Sequence, residues 1–438
     1  MTNDALVIGG GMAGMLAAWR LAKKGKQTIL IEKNDHLGGL ASSFEKDGRT
    51  YPLGYHHILS TDAHLISFLA ELNLLNRVHW RRLEMGFAMG DHVYGLSSPG
   101  DFLRFPLPLR TKLRMAARTA TAWLPMQSDE PASKWLSRVA GQSAVEAFFD
   151  PLTHIKFGLP TSALSAAWLR QRMQGREANC RYGYIPGDDW VKALIHALEN
   201  RMIEAGVDIR LNTSVDEFSF NGDRSRITSA HLSDGIQIRP KVVVAAIAPP
   251  ILSKLTKPVN DKAIDDIQYS GVISTVFATR DEVPLDRYWT NFVRPLESFG
   301  GIFRLDLLNE SLGQPGVRLL NFCTHIRDRS AGSMLHWNES KIEARYLNDF
   351  EARFGVRFKP EWAHTSRIPF YSPIFADGYE NPPVTHRQLG NLFLAGNHRT
   401  FPVLATTGSA MGSGAEAAQA ALSSRHLILG AVGDTEAA

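Results

Sequence analysis

Cysteine is almost missing from this chain: Cys180 and Cys323 are the only two in 438 residues. Two thiols build neither a disulfide framework nor a cysteine-based zinc site. No metal is therefore expected, and a reducing, cytoplasmic location is the default expectation. Long apolar runs are lacking as well. The densest, Val242 to Leu252, has 11 residues and is interrupted by Pro249 and Pro250, against about 20 for a helix that crosses a bilayer. No basic segment precedes the short run from Ala5 to Ile8, so no secretory leader is expected. Charge of one sign is scarce too. With 48 Lys and Arg against 44 Asp and Glu, the net charge is +4, and no nucleic-acid partner is expected from it. Internal repeats and low-complexity tracts are absent. What remains is ordinary globular composition, 44% hydrophobic and 21% charged, able to bury a core large enough to offset ordering entropy. The length predicts two to three domains at about 150 residues each.

The first forty residues are the most informative. Ala5-Leu6-Val7-Ile8 reads as a strand buried on both faces of a parallel sheet. It runs into Gly9-Gly10-Gly11-Met12-Ala13-Gly14, after which Ala13, Leu16, Ala17 and Leu21 recur at helical spacing. Lys23-Lys24-Gly25 suits the helix end. Thr28-Ile29-Leu30-Ile31-Glu32 reads as a second strand that ends in an acid. The unit is βαβ with Gly9-x-Gly11-x-x-Gly14 at its first turn. Gly9 permits the tight turn, Gly11 lets a diphosphate approach the backbone, and Gly14 allows close helix–strand packing. The helix N-terminus offers N–H groups and partial positive charge to the phosphates. Glu32 stands where a carboxylate accepts from ribose hydroxyls and repels a 2′-phosphate, which disfavours NADP. No second such turn follows a strand elsewhere.

The pattern continues through Asp35-His36-Leu37-Gly38-Gly39-Leu40-Ala41, which an NAD site does not need. It resembles the extended signature of the flavin amine oxidase, protoporphyrinogen oxidase and phytoene desaturase superfamily. A second signature lies at the other end. The segment Asn391-Leu392-Phe393-Leu394-Ala395-Gly396-Asn397 reads as a strand and glycine turn, and the small-residue segment Thr407-Gly408-Ser409-Ala410-Met411-Gly412-Ser413-Gly414 reads as a helix. Ser413-x-x-Glu416 would make a capping box for it, and a helix start nearer Gly408 is the alternative. The resemblance implies an α/β fold, with a Rossmann-type FAD domain and an inserted substrate domain of mixed sheet and helix. The cofactor domain would comprise residues 1–60, 186–260 and 385–438, and the substrate domain 61–185 and 261–384. FAD would be held by Gly9, Gly11, Met12, Ala13, Gly14, Glu32, Lys33, Gly38, Gly39, Leu40, Ala41, Val215, Gly396, Asn397, Thr407 and Gly408.

The middle of the chain concerns substrate. Tyr55-His56-His57 follows the first cofactor segment, where the resemblance places residues beside the isoalloxazine. His56 and His57 are candidate bases or orienting donors, since imidazole titrates near neutral pH. Tyr371 is the third catalytic candidate, placed by resemblance at the flavin ring. Arg170, Arg172 and Arg176 offer either an anion grip or a solvated helix face. Arg104 to Pro125 mixes Arg110, Lys112, Arg114 and Arg118 with leucines and Trp123, a pattern open to peripheral membrane contact as well as to a plain surface helix. The stretch 268–372 alternates as a sheet does. Leu404-Ala405-Thr406 stands where amine oxidases of the superfamily carry a cage aromatic, so amine oxidation is disfavoured. The expected activity is FAD-dependent dehydrogenation or desaturation of a C–C or C–O centre in an apolar or phosphate-bearing small molecule. A non-oxidative flavoenzyme such as a UDP-sugar mutase is the alternative. The oligomeric state is not legible.

Overall fold

The computed structural model describes residues 2–96, 98–122, 129–174, 180–293 and 297–428. The chain opens with β1 (Thr2–Ile8), α1 (Met12–Ala22) and β2 (Thr28–Ile31), close to the units read from sequence. After α2 (Ala63–Glu71) come the hairpin β3 (Met85–Met89) and β4 (His92–Gly95), then α3 (Pro99–Arg104) and α4 (Leu109–Ala122). Among the helices that follow are α5 (Asp150–Phe157) and α6 (Ala166–Gln174). The chain returns through α7 (Trp190–Glu204) to β5 (Asp208–Arg210), β6 (Val215–Phe220), β7 (Ile227–Leu232) and β8 (Gln237–Ala245). The second excursion contains β9 (Tyr269–Thr279), β10 (Trp289–Phe292), β11 (Gly301–Arg304) and β12 (Arg318–Ile326). It ends with α8 (Glu339–Phe354) and β13 (Trp362–Pro373), and β14 (Leu392–Leu394) and α9 (Thr407–Leu422) come after it.

Two seven-stranded sheets organise these elements. The first has the order β5-β2-β1-β8-β7-β6, with β14 also paired to β8. Strands β5, β2, β1, β8 and β14 are parallel, with Ile8 opposite both Ile31 and Ala245. Ala5, Leu6 and Val7 are fully buried because both faces of this sheet are covered, Ala5 and Val7 by a core shared with α1 and α7 and Leu6 by one shared with β6, β7 and Leu252. The second sheet has the order β13-β9-β12-β11-β10-β3-β4. Its strand β9 is buried over all 11 residues. The alternation read over 268–372 omits α8, which lays Ile342, Tyr346 and Phe350 at four-residue spacing on the core.

The first sheet takes its strands from residues 2–31, 208–245 and 392–394, and the second from 85–95 and 269–373. Helix α2 lies beyond residue 60, yet Leu65 and Leu69 share a core with Leu16 of α1 and Met411 of α9. The ends of the chain are in direct contact there: a Cβ added at Gly414 of α9 would lie 2.0 Å from the Ala13 carbonyl oxygen.

Candidate functional site

The glycine turn is built as its spacing requires. Gly9 has φ +101°, and an added Cβ would lie 2.7 Å from the Ala246 oxygen. At Gly14 it would lie 1.9 Å from the Gly9 oxygen. Gly11 differs: its nearest neighbour would be Gly39 Cα at 3.9 Å. Gly11 therefore faces open space, while Gly9 and Gly14 are filled by the protein itself. Gly11 also caps α1 with no side chain accepting from the helix, which leaves the first N–H groups for a ligand. The second glycine segment runs alongside. Gly38 N donates to Gly10 O at 2.8 Å, and Gly11 bridges Gly38 in parallel. Gly39 and Leu40 are accessible and Ala41 is buried beneath them.

Glu32 directly follows β2 and is buried, 7% exposed. One oxygen accepts from Gly10 N at 2.7 Å and the other from Asn34 N at 2.9 Å. It is thus held beside the glycine turn with lone pairs to spare. Met12 and Ala13 are buried in the first turn of α1, Lys33 is exposed, and Val215 is buried at the start of β6. A cradle without Cβ, uncapped helix N–H groups and a fixed carboxylate fit the diphosphate and ribose of FAD.

The distal signature also arrives here. Gly396 N donates to Ser413 Oγ at 2.8 Å, tying the turn after β14 to α9. Helix α9 begins at Thr407 and its capping box is Thr406 with Ser409. The Ser413-x-x-Glu416 alternative is not realised: Ser413 Oγ donates to Ala410 O and Glu416 pairs with Arg399 at 3.1 Å. Thr407 is half-buried at the helix start. Gly408 is pressed against α2, where a Cβ would lie 2.3 Å from Asp62 Oδ1, so its small size serves helix packing. Asn397 accepts from the Tyr269 hydroxyl at 2.9 Å and donates to the Tyr371 carbonyl at 3.3 Å.

Tyr371 therefore adjoins the distal cofactor segment. Its ring lies 5.7 Å from that of His325, and burial, with Tyr55 beside it, pushes its phenol well above the ordinary value. Tyr55 and His325 line a cavity of about 290 Å³. Aromatic side chains dominate its wall, among them Phe105, Phe148, Trp168, Trp289 and Phe303. Tyr55 stacks on Phe303 at 3.9 Å. Burial pushes the Cys323 thiol, also in the wall, up to about 12, so it stays protonated and is no nucleophile near neutral pH.

His56 and His57 are not among the residues that line this cavity. His56 Nδ1 lies 2.7 Å from Asp189 Oδ2, and His57 Nδ1 lies 2.9 Å from the Tyr288 hydroxyl. A carboxylate only accepts, so His56 donates through Nδ1. Sequence reading missed Asp189, which is buried, caps α7 and also accepts from Ser43 Oγ at 2.6 Å. An Asp before the apolar helix of Trp190, Val191 and Leu194 was a cap signal, but nothing in sequence joins it to His56. Arg172 lines the cavity, Arg170 lies on the same helix, and Arg176 lies outside the described residues, as do Trp123 and Pro125. No cluster of metal-ligating side chains occurs among the described residues.

Comparison with known proteins agrees with this geometry. The family profile described as flavin containing amine oxidoreductase matches residues 12–422. A 15-cis-phytoene desaturase of Narcissus pseudonarcissus is 35% identical over 106 residues, covering 24% of this chain and 18% of the relative. That of Solanum lycopersicum is 26% identical over 298 residues, covering 60% and 49%. The chain thus spans half or less of the length of these curated relatives. A crystal structure from Exiguobacterium sp. 255-15, provisionally described as a protoporphyrinogen oxidase, superposes with TM-score 0.78 at 15% identity over 95% of this chain and 98% of that one. Reduced UDP-galactopyranose mutase superposes with TM-score 0.72 at 15% identity over 96% and 95%. At such identities the structures establish the fold alone.

Proposed function

The chain belongs to the flavin containing amine oxidoreductase family, and on that premise we propose that it dehydrogenates a C–C or C–O centre of a largely apolar small molecule. Its cofactor is FAD, which supplies the hydride-accepting centre when bound. In this reading residues 1–60, 186–260 and 385–438 hold the cofactor, while 61–185 and 261–384 shape the substrate chamber. Gly11 and the α1 N-terminus take the diphosphate, Glu32 the ribose, and Gly396 and Asn397 the distal part. The aromatic cavity excludes water and orients the substrate. His56 and His57 act as positioning residues that fix the Tyr55 loop through Asp189 and Tyr288.

The observation that carries this reading is the junction at Tyr371, where the Asn397 segment meets the wall of an apolar chamber. Leu404 and Ala405 in place of a cage aromatic argue against an amine substrate, and the two relatives compared above by sequence are desaturases, which favours net oxidation over the rearrangement of a mutase. The test is a spectrum followed by an anaerobic substrate screen. Stoichiometric FAD, bleached by apolar alcohols or by saturated precursors of conjugated products, is the expected result. Bleaching by amines alone would overturn it.

A lipid surface is the proposed partner. Helix α4 turns Thr111, which is buried, and Met115, which lines the cavity, toward the body of the protein. At 3.6 residues per turn, Leu109, Leu113, Ala116 and Ala117 fall on the opposite side. Leu109 and Leu113 are 67% and 62% exposed. Arg110 and Arg114 run along one flank of this stripe and Lys112 along the other. An outward apolar stripe with basic flanks suits an anionic membrane surface. Leu103 of α3, 66% exposed, extends it. No described helix is long and apolar enough to cross a membrane.

A further inference from the structure

One helical stretch stands between two cavities. A π-helical turn, Val145–Phe149, leads straight into α5, and single turns of that kind are frequent at functional sites. Glu146, Asp150 and His154, four residues apart, line a groove of about 640 Å³. Phe148, Phe149 and Leu152 fall on the other side of the stretch and line the aromatic chamber of about 290 Å³. Its polar face therefore meets the groove and its apolar face the chamber. Ile155 belongs to both linings, and so do only Gly300, directly before β11, and His325 of β12 among the described residues.

The partition at that point is one side chain thick. Ile155 is only half-buried, as a side chain with space on both sides must be. It rests directly on Gly300: a Cβ added to the glycine would lie 2.0 Å from Ile155 Cγ2. Gly300→Ala would therefore displace it. Gly300 itself is held by the second sheet, its N donating to Cys323 O at 2.9 Å and its O accepting from Phe292 N at 3.0 Å. A β-branched side chain on a helix is nearly confined to one χ1 rotamer. The floor of the chamber is thus stiff as well as thin.

The chamber has a definite capacity. A dry apolar cavity of about 150 Å³ takes one benzene, so one of about 290 Å³ holds roughly twelve carbons. We propose that Ile155 sets the length of the substrate: it closes the chamber against the groove, so that a body filling the chamber is accepted and a longer one is refused. A surplus carbon has nowhere to go without moving Ile155 off Gly300, and overpacking a closed apolar site is destabilising. Truncation at Ile155 opens the chamber into the groove, where added length runs out over Gly300. This inference deepens the proposed function and rests on the reading of the cavity as the substrate chamber of a flavoenzyme.

The test uses the full-length FAD-loaded protein with three straight-chain alcohols, octanol, dodecanol and hexadecanol, each delivered from cyclodextrin. Dissociation constants are read by calorimetry and by perturbation of the flavin spectrum. In the wild type, affinity should rise from octanol to dodecanol with buried apolar area and then fall about tenfold or more at hexadecanol. Ile155→Ala should abolish that fall, binding hexadecanol at least as tightly as dodecanol, and leave octanol within about twofold. Ile155→Val, one carbon shorter than the wild type, should bind hexadecanol with intermediate affinity. FAD content and melting temperature serve as folding controls, and the wild-type series stands even if a variant fails to fold. Hexadecanol bound by the wild type as tightly as dodecanol overturns the inference, and so does a ceiling that Ile155→Ala leaves in place. In either case, octanol that perturbs the flavin leaves the proposed function intact. A ceiling moved by Ile155→Ala, with the flavin undisturbed by every alcohol, upholds Ile155 as the length limit and overturns the chamber's place beside the cofactor. No binding of any alcohol overturns both.

Discussion

Asp189 Oδ2 lies 2.7 Å from His56 Nδ1 and 2.6 Å from Ser43 Oγ, so one buried carboxylate at the start of α7 fastens the segments that carry Ser43 and His56. A hydrogen bond to a charged group contributes about 1.5–3 kcal/mol. His56→Ala and Asp189→Ala should each weaken FAD binding by roughly tenfold or more. His56→Gln keeps a donor for Asp189 and should recover most of that loss. Flavin fluorescence titration of the apoprotein measures this, and identical constants for all three variants would remove His56 from its positioning role.

The glycines of the first turn should separate by substitution. Gly11→Val enters the open cradle, so the protein folds with nearly unchanged thermal stability when compared without cofactor, yet purifies colourless. Gly14→Ala meets the Gly9 carbonyl at 1.9 Å and cannot be accommodated without moving backbone. It should cost about 1–3 kcal/mol or more by overpacking. Denaturant midpoints and flavin stoichiometry of the two variants, measured together, decide the matter. Stoichiometric FAD in the Gly11 variant sinks the assignment of that turn.

Acid should weaken the fold through its histidines. His398 is 2% exposed, and burial, with Arg399 beside it, lowers its imidazole to about 3. Below the ordinary value of 6.5 the unfolded chain takes up this proton and the native chain does not. Stability is therefore complete above pH 6.5 and declines as pH falls from 6.5 toward 3, by at most about 1.4 kcal/mol per pH unit for this one group. His325, His364, His386 and His426 are shifted in the same direction. Unfolding midpoints from pH 7.5 to 4.5 should fall, and fall less steeply in His398→Gln.

For the outward face of α4, Leu109→Glu with Leu113→Glu should abolish sedimentation with vesicles of mixed phosphatidylcholine and phosphatidylserine. Flavin content should be unchanged, because neither side chain packs inside. Raised salt should weaken wild-type binding as the arginine contribution is screened. Sedimentation that the double variant leaves intact would dismiss the lipid partner.

The cofactor half was readable because its signals are local. The turn from Ile8 to Gly14 needs its glycines at fixed spacing, and Thr28 to Glu32 completes the unit within a few residues. Local signals also misled where two segments shared one grammar. Ser413 and Glu416 have the spacing of a cap, yet they lie inside a helix because each is engaged across space, Ser413 by Gly396 and Glu416 by Arg399. Asp189 and His56 are 133 residues apart, and the chamber draws Tyr55, Lys156, Arg172, Trp289 and His325 from five separate segments. Such a site exists only after folding, and no periodicity in the chain announces it.

The packing of Gly414 on Ala13 has a temporal consequence. The cradle is drawn from residues 9–14 and the helix that buttresses it from residues 407–422, so synthesis makes the cradle long before the wall behind it. A nascent chain can therefore shape the cradle and still lack that wall, and firm retention of the cofactor must await α9. Removal of α9 should leave a cradle that cannot keep what it binds.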